Sequence, residues 1–231
     1  MTIAIIPARG GSERIPDKNT RDFLGKPMIA YSIEAARESG VFDRILVSTD
    51  SERIARVAND YGAETPFVRP AELGLASVPL AAVLENTFQW LKDNAIPATH
   101  SCCIMATAPF LRPAYIREGF DRIRETNVSS VVSVTAYDYP IFRAFKMAEG
   151  GNLEMLWPEH EFTRSNDLFE TFHDAAQFYW LNIESFMANN SIFSKDALPV
   201  VLPRYLVEDI DEPDDWKRAE IMYQVIQRMQ I

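Results

Sequence analysis

A basic loop near the start of the chain carries the residues best suited to chemistry. It follows an apolar run at residues 3–6, predicted to be a strand buried on both faces of a parallel sheet. Gly10 and Gly11 let the loop backbone approach a ligand closely, with amides that can face an anion. The polar and cationic side chains around them are Arg9, Ser12, Arg14 and Lys18. Amides and cations at the carboxyl end of a first strand predict a phosphate-binding loop.

This loop matches neither of the two most widespread phosphate-binding motifs. The dinucleotide motif G-x-G-x-x-G needs a third glycine, which the chain lacks until Gly25. The P-loop motif ends in Gly-Lys-Ser/Thr, whereas Gly25 and Lys26 are followed by Pro27. A basic surface turn is the simpler alternative. Three cations on a Gly-Gly loop would be unusual, however, in a chain with a net charge of -10.

Two carboxylates near the end of the chain form a candidate metal site. Asp209 and Asp211 lie two residues apart, so both side chains would point to one face of an extended segment. Such a pair suits Mg²⁺, which also keeps water ligands and shares phosphate oxygens. The pair alone is a weak motif. Together with the basic loop it predicts a nucleoside triphosphate site in which positioning and charge neutralisation provide the catalysis.

Alternating strand and helix patterns position these residues. Strands are predicted at residues 3–6, 45–48, 102–105 and 128–135, with helices at 28–39, 52–61, 80–94, 114–125 and 213–229. This alternation predicts an α/β fold, a doubly wound and mainly parallel sheet in a single domain over 1–231. Thr49, Asp50 and Thr107 follow predicted strands, where such sheets present ligand-binding side chains. Helix capping is an equal alternative for Asp50.

The alternation stops between residues 137 and 168, where aromatic residues are dense and short strands are predicted at 142–147 and 152–156. This segment is predicted to be a lid or an arm that packs against another subunit. Its basic residues are Arg143, Lys146 and Arg164, for which scattered surface charge is the alternative. The following run at residues 173–180 mixes polar and aromatic residues, and is predicted to be a hairpin strand that lines a pocket. His173 and Asp174 could instead form a satisfied buried pair.

Composition restricts the function further. Of the 231 residues, 47% are hydrophobic and 24% are charged, as is typical of globular proteins. The 33 acidic residues outnumber the 23 basic ones, which argues against a nucleic-acid partner. No apolar run approaches the roughly 20 residues of a membrane span, and no signal-peptide pattern precedes the first strand. Cys102 and Cys103 are adjacent in an apolar run, so we expect buried, reduced thiols in a cytoplasmic protein.

Several of these segments resemble those of a known enzyme family. The relevant segments are PARGGSERIPDKN, FLGKPMIAYSIEAA, VSTD and the late DID. They are similar to those of cytidylyltransferases that activate acidic eight- and nine-carbon sugars, including CMP-sialic acid synthetases and their 3-deoxy-manno-octulosonate relatives. The resemblance covers essentially the whole chain. It implies a Rossmann-like nucleotide-diphospho-sugar transferase fold with an inserted dimerisation arm at 137–168.

The resemblance also implies a reaction. CTP and a nonulosonic acid would give the CMP-sugar and pyrophosphate, with the sugar's anomeric hydroxyl attacking the α-phosphorus. Mg²⁺ held by Asp209 and Asp211 would neutralise phosphate charge. The protein would be a homodimer in which the arm reaches over the partner's site.

Four segments resemble those of family members that act on pseudaminic acid, and this resemblance implies the same sugar here. They are ATAPFLRP, WPEHEFTRSND, HDAAQFYW and LPRYLVEDIDEPDDW. Met105 and Ala106 stand where sialic acid synthetases usually have Gln-Pro, which makes N-acetylneuraminate a weaker candidate. Glu13 stands where relatives commonly carry a basic or neutral residue, so a phosphate contact at this position is not expected.

Roles for individual residues follow from position in the family motifs. Catalytic roles fall to Arg9, Lys18 and Asp211. The triphosphate would be held by Arg9, Gly10, Gly11, Ser12, Arg14 and Lys18. Cytosine and ribose would be surrounded by Ala8, Thr49, Asp50 and Thr107, with Asn19 at the end of the loop. The sugar and its carboxylate would be lined by Arg143, Lys146, Arg164, His173, Asp174 and Gln177.

Three alternatives remain open at this point. The sugar could be N-acetylneuraminic or legionaminic acid. A nucleotidyltransferase acting on sugar 1-phosphates would share the sheet, but it usually has a longer G-x-G-[TS]-R loop and would prefer UTP, TTP or GTP. A non-catalytic nucleotide-binding module is the interpretation to prefer if Asp209 and Asp211 do not meet the basic loop in space.

Overall fold

A computed structural model describes residues 1–229 of the chain. The strands, in chain order, are β1 (Thr2–Pro7), β2 (Asp22–Phe23), β3 (Lys26–Pro27), β4 (Arg44–Ser48), β5 (His100–Ile104), β6 (Ser130–Ala136), β7 (Phe145–Met147), β8 (Leu153–Met155), β9 (Phe172–Asn182) and β10 (Leu198–Val201). The helices are α1 (Met28–Ser39), α2 (Glu52–Asp60), α3 (Leu80–Asp93), α4 (Pro113–Thr126), α5 (Ile183–Asn189) and α6 (Pro213–Met229). The helices expected from the sequence are confirmed to within one residue at each end.

Six strands form one sheet in the order β10-β6-β9-β5-β1-β4. Strand β1 pairs in parallel with β4 and β5, and β10 pairs in parallel with β6. Strand β9 lies antiparallel between β5 and β6. This direction arises because β6 ends at the carboxyl edge of the sheet, and residues 137–171 bring the chain back to that same edge, where β9 begins. The mainly parallel α/β sheet expected from the sequence is therefore confirmed.

Helices cover both faces of this sheet. Successive strand residues point to opposite faces, so Cys102 packs in the core formed with α1, α2 and α4, whereas Cys103 packs in the core formed with α3 and α5. Both cysteines are free and buried, and burial raises the pKa of each thiol. The expectation of buried, unpaired thiols is thus confirmed. Between residues 1 and 229, no helix has the length and apolarity needed to cross a bilayer.

A third core fixes the basic loop to the end of the chain. Ile15 of the loop and Ile210, which lies between the two aspartates, are both buried in this cluster with Trp216 of α6. Phe23 packs edge-to-face on Trp216 with 5.4 Å between ring centroids. Apolar packing therefore brings two segments that are far apart in sequence to the same edge of the sheet.

The arm at 137–168 is an irregular segment that extends from that edge, and residues 169–171 connect it to β9. It contains the β7–β8 hairpin and short 3-10 turns at Ile141–Arg143, Pro158–His160 and Ser165–Asp167. Both short strands expected in this region are present, but the first is shorter than the predicted 142–147, because Ile141–Arg143 forms a 3-10 turn. Large apolar side chains are unusually exposed here, and Phe162 is 90% exposed.

Candidate nucleotide-binding site

A cavity of about 420 Å³ opens at the carboxyl edge of the sheet, beside the basic loop. Its walls come from four parts of the chain: the loop, the segment from the end of α2 to the start of α3, the residues that follow β5, and the segment before α6. The sequence-predicted residues that line it are Arg9, Ser12, Arg14, Lys18, Asn19, Thr107 and Asp211. The fold therefore brings most of the predicted triphosphate contacts and one of the two aspartates into one space.

The loop is held in shape by its own backbone and by Asn19. The amide of Ala8 donates to the Ser48 carbonyl at 2.9 Å, which continues the β1–β4 pairing beyond the strand end. The buried Asn19 side chain donates from Nδ2 to the Arg9 carbonyl at 3.0 Å. Asn19 thus closes the loop on itself, a positioning role that accounts for its place at the loop's end.

The cations of the loop face Asp211. Arg14 Nη2 lies 2.7 Å from Asp211 Oδ2, and Lys18 Nζ lies 3.2 Å from Oδ1. Lys18 also donates to the Ile210 carbonyl at 2.7 Å. Partial burial acts to raise the pKa of Asp211, but hydrogen bonds from Arg14 and Lys18 outweigh it, and the pKa is lowered. Asp211 therefore stays ionised and neutralises part of the loop's positive charge.

The pKa of Asp209 is shifted in the opposite direction. Desolvation by the surrounding protein and the negative charge of Asp211 both raise its pKa. The two carboxylates therefore interact, although the segment that carries them lies outside the strands, after a 3-10 turn at Arg204–Leu206. Asp209 is exposed and does not itself line the cavity.

Arg69 is a cavity residue that the sequence analysis did not select. Its side chain is buried, with only 3% of the residue exposed, and Nη2 donates to Asp50 Oδ1 at 3.2 Å. Burial lowers its pKa, Asp50 acts against that change, and the charge of Arg9 lowers it further. The only signal in the sequence is that this arginine begins the loop that leads to α3. The return of that loop to the carboxyl edge is visible only in the structure.

Several predicted nucleotide contacts lie next to the cavity without lining it. Ala8 and Thr49 are buried, and the Thr49 hydroxyl accepts from the Ser51 amide at 3.1 Å. Ser51 rather than Asp50 caps α2. The Gly10 amide, expected to face phosphate, donates to Asp50 Oδ1 at 2.9 Å, whereas Gly11 is exposed.

The residues expected to bind the sugar are not brought into the cavity within residues 1–229. Those of the arm have local partners: Lys146 pairs with Glu154 at 3.0 Å, Arg164 lies 3.9 Å from Asp167, and Arg143 donates to the Thr163 carbonyl. Those of β9 are also engaged: Asp174 accepts from the Tyr179 hydroxyl at 2.7 Å, and the buried Gln177 donates to the Leu206 carbonyl. His173 packs on Tyr137 beside a second cavity of about 290 Å³.

Comparison with solved structures identifies the fold of this protein. The structure of CMP:2-keto-3-deoxy-manno-octonic acid synthetase complexed with CTP matches with a TM-score of 0.69 and 15% identity, over 96% of this chain and 98% of that one. This likeness shows the fold.

Sequence comparison then gives the family. The family model described as cytidylyltransferase matches residues 3–205, and the chain belongs to this family. A pseudaminic acid cytidylyltransferase from Campylobacter jejuni (strain 81-176) is 41% identical, over 96% of both chains. A CMP-N,N'-diacetyllegionaminic acid synthase from Legionella pneumophila (strain Philadelphia 1) is 31% identical, over 97% of both chains. The resemblance inferred from the motifs is therefore confirmed, and the chain is an enzyme of the nucleotidyltransferase class.

Proposed function

We propose that this enzyme transfers CMP from CTP to a nonulosonic acid, pseudaminic acid in particular, and releases pyrophosphate. The observation that carries the proposal is the meeting of Arg14, Lys18 and Asp211 in one cavity at the carboxyl edge. A non-catalytic module would not need this acidic group among the cations. The names of the full-length relatives at 41% and 31% identity support both the nucleotide and the class of sugar.

In the proposed reaction, the anomeric hydroxyl oxygen of the sugar forms a bond to the α-phosphorus of CTP. The bond from that phosphorus to the oxygen that bridges the α- and β-phosphates breaks, pyrophosphate leaves with the electron pair, and the hydroxyl proton passes to water. Arg9, Arg14 and Lys18 line the cavity and would neutralise the triphosphate as charge moves to the leaving group. No covalent enzyme intermediate is involved, so catalysis rests on positioning and charge.

Asp209 and Asp211 are suitable ligands for Mg²⁺. They are two interacting carboxylates, which are the oxygen donors that this hard cation prefers. Among residues 1–229 no group of three or more acidic, histidine or cysteine side chains is arranged for a metal. The protein would thus supply two carboxylates at most, which fits an ion that completes its shell with water and phosphate oxygens. When bound, Mg²⁺ would withdraw charge from the phosphates.

Pyrophosphate release tests the proposed reaction directly. Purified protein would be incubated with Mg²⁺, CTP and one of three sugars: pseudaminic, legionaminic or N-acetylneuraminic acid. We expect release that requires both CTP and pseudaminic acid, with little release when UTP, TTP or GTP replaces CTP. Equal turnover of N-acetylneuraminic acid would contradict the assignment of the sugar. A preference for another nucleotide would contradict the assignment of CTP.

We also propose that the protein is a homodimer, and the exposed apolar face of the arm supports this. In the β7–β8 hairpin, Phe145 faces Met155 and Met147 faces Leu153, so these four side chains share one face. Met147 is 75% exposed and Leu153 is 67% exposed. Packing of this face on a second copy would cover apolar surface and would bring the arm's cations over the partner's cavity. A reaction that consumes CTP would take place in the cytoplasm, which is the location that we propose.

Sedimentation velocity tests the role of the arm. The wild-type protein should sediment as a dimer, and the double variant Met147→Asp, Leu153→Asp should sediment as a monomer, because charges would replace the apolar contact. Glu154→Gln is the matched control, since Glu154 lies on the opposite face of the same hairpin and pairs with Lys146. A wild-type monomer would overturn the proposed homodimer. A double variant that remains dimeric would show that the apolar face of the arm is not part of the interface.

A further inference from the structure

The carboxylate of Asp50 joins two walls of the cavity. Its Oδ1 atom accepts from the Gly10 amide at 2.9 Å and from Arg69 Nη2 at 3.2 Å. Gly10 belongs to the basic loop, and Arg69 begins the segment between α2 and α3 that also lines the cavity. One oxygen atom therefore connects the loop expected to hold phosphate with the segment between α2 and α3.

Gly74 leaves the space that Asp50 occupies. A methyl group on Gly74 would overlap Asp50 Oδ2 and would lie 3.0 Å from Cγ. The backbone of Gly74 is outside the left-handed region, so an alanine would be acceptable there if the carboxylate were absent. The lack of a side chain at position 74 is thus explained by Asp50.

Arg69 depends on Asp50 for its charge balance. The guanidinium is buried, and Asp50 is its ion-pair partner. Removal of one member of a buried pair leaves an uncompensated charge, which is strongly unfavourable. The Arg69 Nε atom is buried with no hydrogen-bond partner within the described chain, so the contact with Asp50 is the main compensation for burial of this guanidinium.

We propose that Asp50 is a positioning residue of the nucleotide site, which acts through Arg69 and the Gly10 amide rather than by contact with the nucleotide. This inference rests on the proposed function, because it takes CTP to be the ligand of the cavity. The carboxylate holds the basic loop and the Arg69 guanidinium at a fixed separation. Loss of that separation weakens CTP binding, since groups that are misplaced by about 1 Å lose much of their effect.

Two substitutions separate the two contacts of Asp50. Asp50→Asn keeps an oxygen for the Gly10 amide but removes the charge that balances Arg69, whereas Asp50→Ala removes both. The dissociation constant for CTP, measured by calorimetry, should rise by about tenfold in Asp50→Asn and further in Asp50→Ala. Exchange of the Gly10 amide hydrogen, followed by NMR, should accelerate only in Asp50→Ala.

Asp43→Asn is the matched control. Asp43 Oδ2 accepts from the Thr2 amide at 2.7 Å, so it holds the opposite end of β1 in the same way. It lies away from the cavity and is not paired with an arginine in residues 1–229. We expect an unchanged CTP dissociation constant and unchanged Gly10 exchange in this variant.

Gly74→Ala tests the geometry with Asp50 still present. The new methyl group should displace the carboxylate and weaken CTP binding to a similar degree as Asp50→Asn. In an Asp50→Ala background the same change should have little further effect, because no carboxylate remains to be displaced. Additive effects of the two substitutions would overturn the proposed arrangement.

The remaining outcomes distinguish failure of the positioning role of Asp50 from failure of the proposed CTP-dependent function. If wild-type protein binds CTP and all Asp50 variants bind it equally well, the positioning role is overturned while the proposed function stands. Unchanged Gly10 exchange in Asp50→Ala would also overturn that role. If wild-type protein fails to bind CTP, the proposed function fails, and the nucleotide role of Asp50 fails with it.

Discussion

Substitution of Asp211 by alanine should lower kcat by at least about a hundredfold while the protein stays folded. The carboxylate is the proposed metal ligand that lies in the cavity, and it also fixes Arg14 and Lys18. Its ion pairs are partly exposed, so their loss should change the free energy of unfolding by no more than about 1 kcal/mol. Steady-state pyrophosphate release and a thermal unfolding curve would give both quantities.

Calorimetry of CTP binding makes this test specific for the metal. Without Mg²⁺, Asp211→Ala should bind CTP at least as tightly as wild-type protein, because the competing carboxylate is gone. The further increase in affinity that Mg²⁺ gives the wild-type protein should disappear. Glu212→Gln is the matched control: Glu212 also pairs with Arg14, at 3.1 Å, but does not line the cavity. Normal turnover in Asp211→Ala would exclude this residue from the mechanism.

Substitution of Gly119 by alanine should destabilise the fold, because a methyl group there would overlap a buried tryptophan. A Cβ atom at this position of α4 would lie 2.5 Å from Trp180 Cδ1 and 3.1 Å from Phe178 Cε2. Trp180 cannot move aside easily, because its Nε1 donates to the Ile116 carbonyl at 3.0 Å and its ring stacks on Phe42 at 5.2 Å. The overlap should exceed the gain of about 1 kcal/mol in helix propensity.

We expect a net loss of about 2 kcal/mol in the free energy of unfolding, which corresponds to a fall in Tm of about 4 to 8 °C. Differential scanning calorimetry would measure it. Gly11→Ala is the control, since a methyl group there would meet nothing within 4 Å. An unchanged Tm for Gly119→Ala would show that α4 and β9 are less tightly packed than their contacts indicate.

Sequence patterns were sufficient for the elements whose signals are local. The boundaries of α1 follow from a run of apolar positions that ends at Gly40, whose backbone is left-handed. The basic loop was predicted because its glycines and cations lie within a few residues of a buried strand. Such spacing determines local backbone structure, and tertiary packing did not alter the local structure that it predicts.

Contacts between distant segments were beyond the sequence patterns. The hydrogen bond from the Gly10 amide to Asp50 depends on how closely the ends of β1 and β4 approach each other. Arg69 enters the site only because its loop returns to the carboxyl edge of the sheet. The direction of β9 likewise depends on where the arm delivers the chain. In each case the deciding quantity is a distance in space that composition and periodicity do not encode.

The partners of Arg14 and Lys18 have a consequence for selectivity. Asp211 acts as a tethered competitor: it is an anion whose effective concentration beside the two cations is set by the chain rather than by the solution. A dissolved anion that offers one contact must compete with this local concentration and is disfavoured. A triphosphate can engage several cations at once, so it displaces the competitor more readily. We therefore expect the free cavity to bind inorganic phosphate more weakly than the proposed nucleotide.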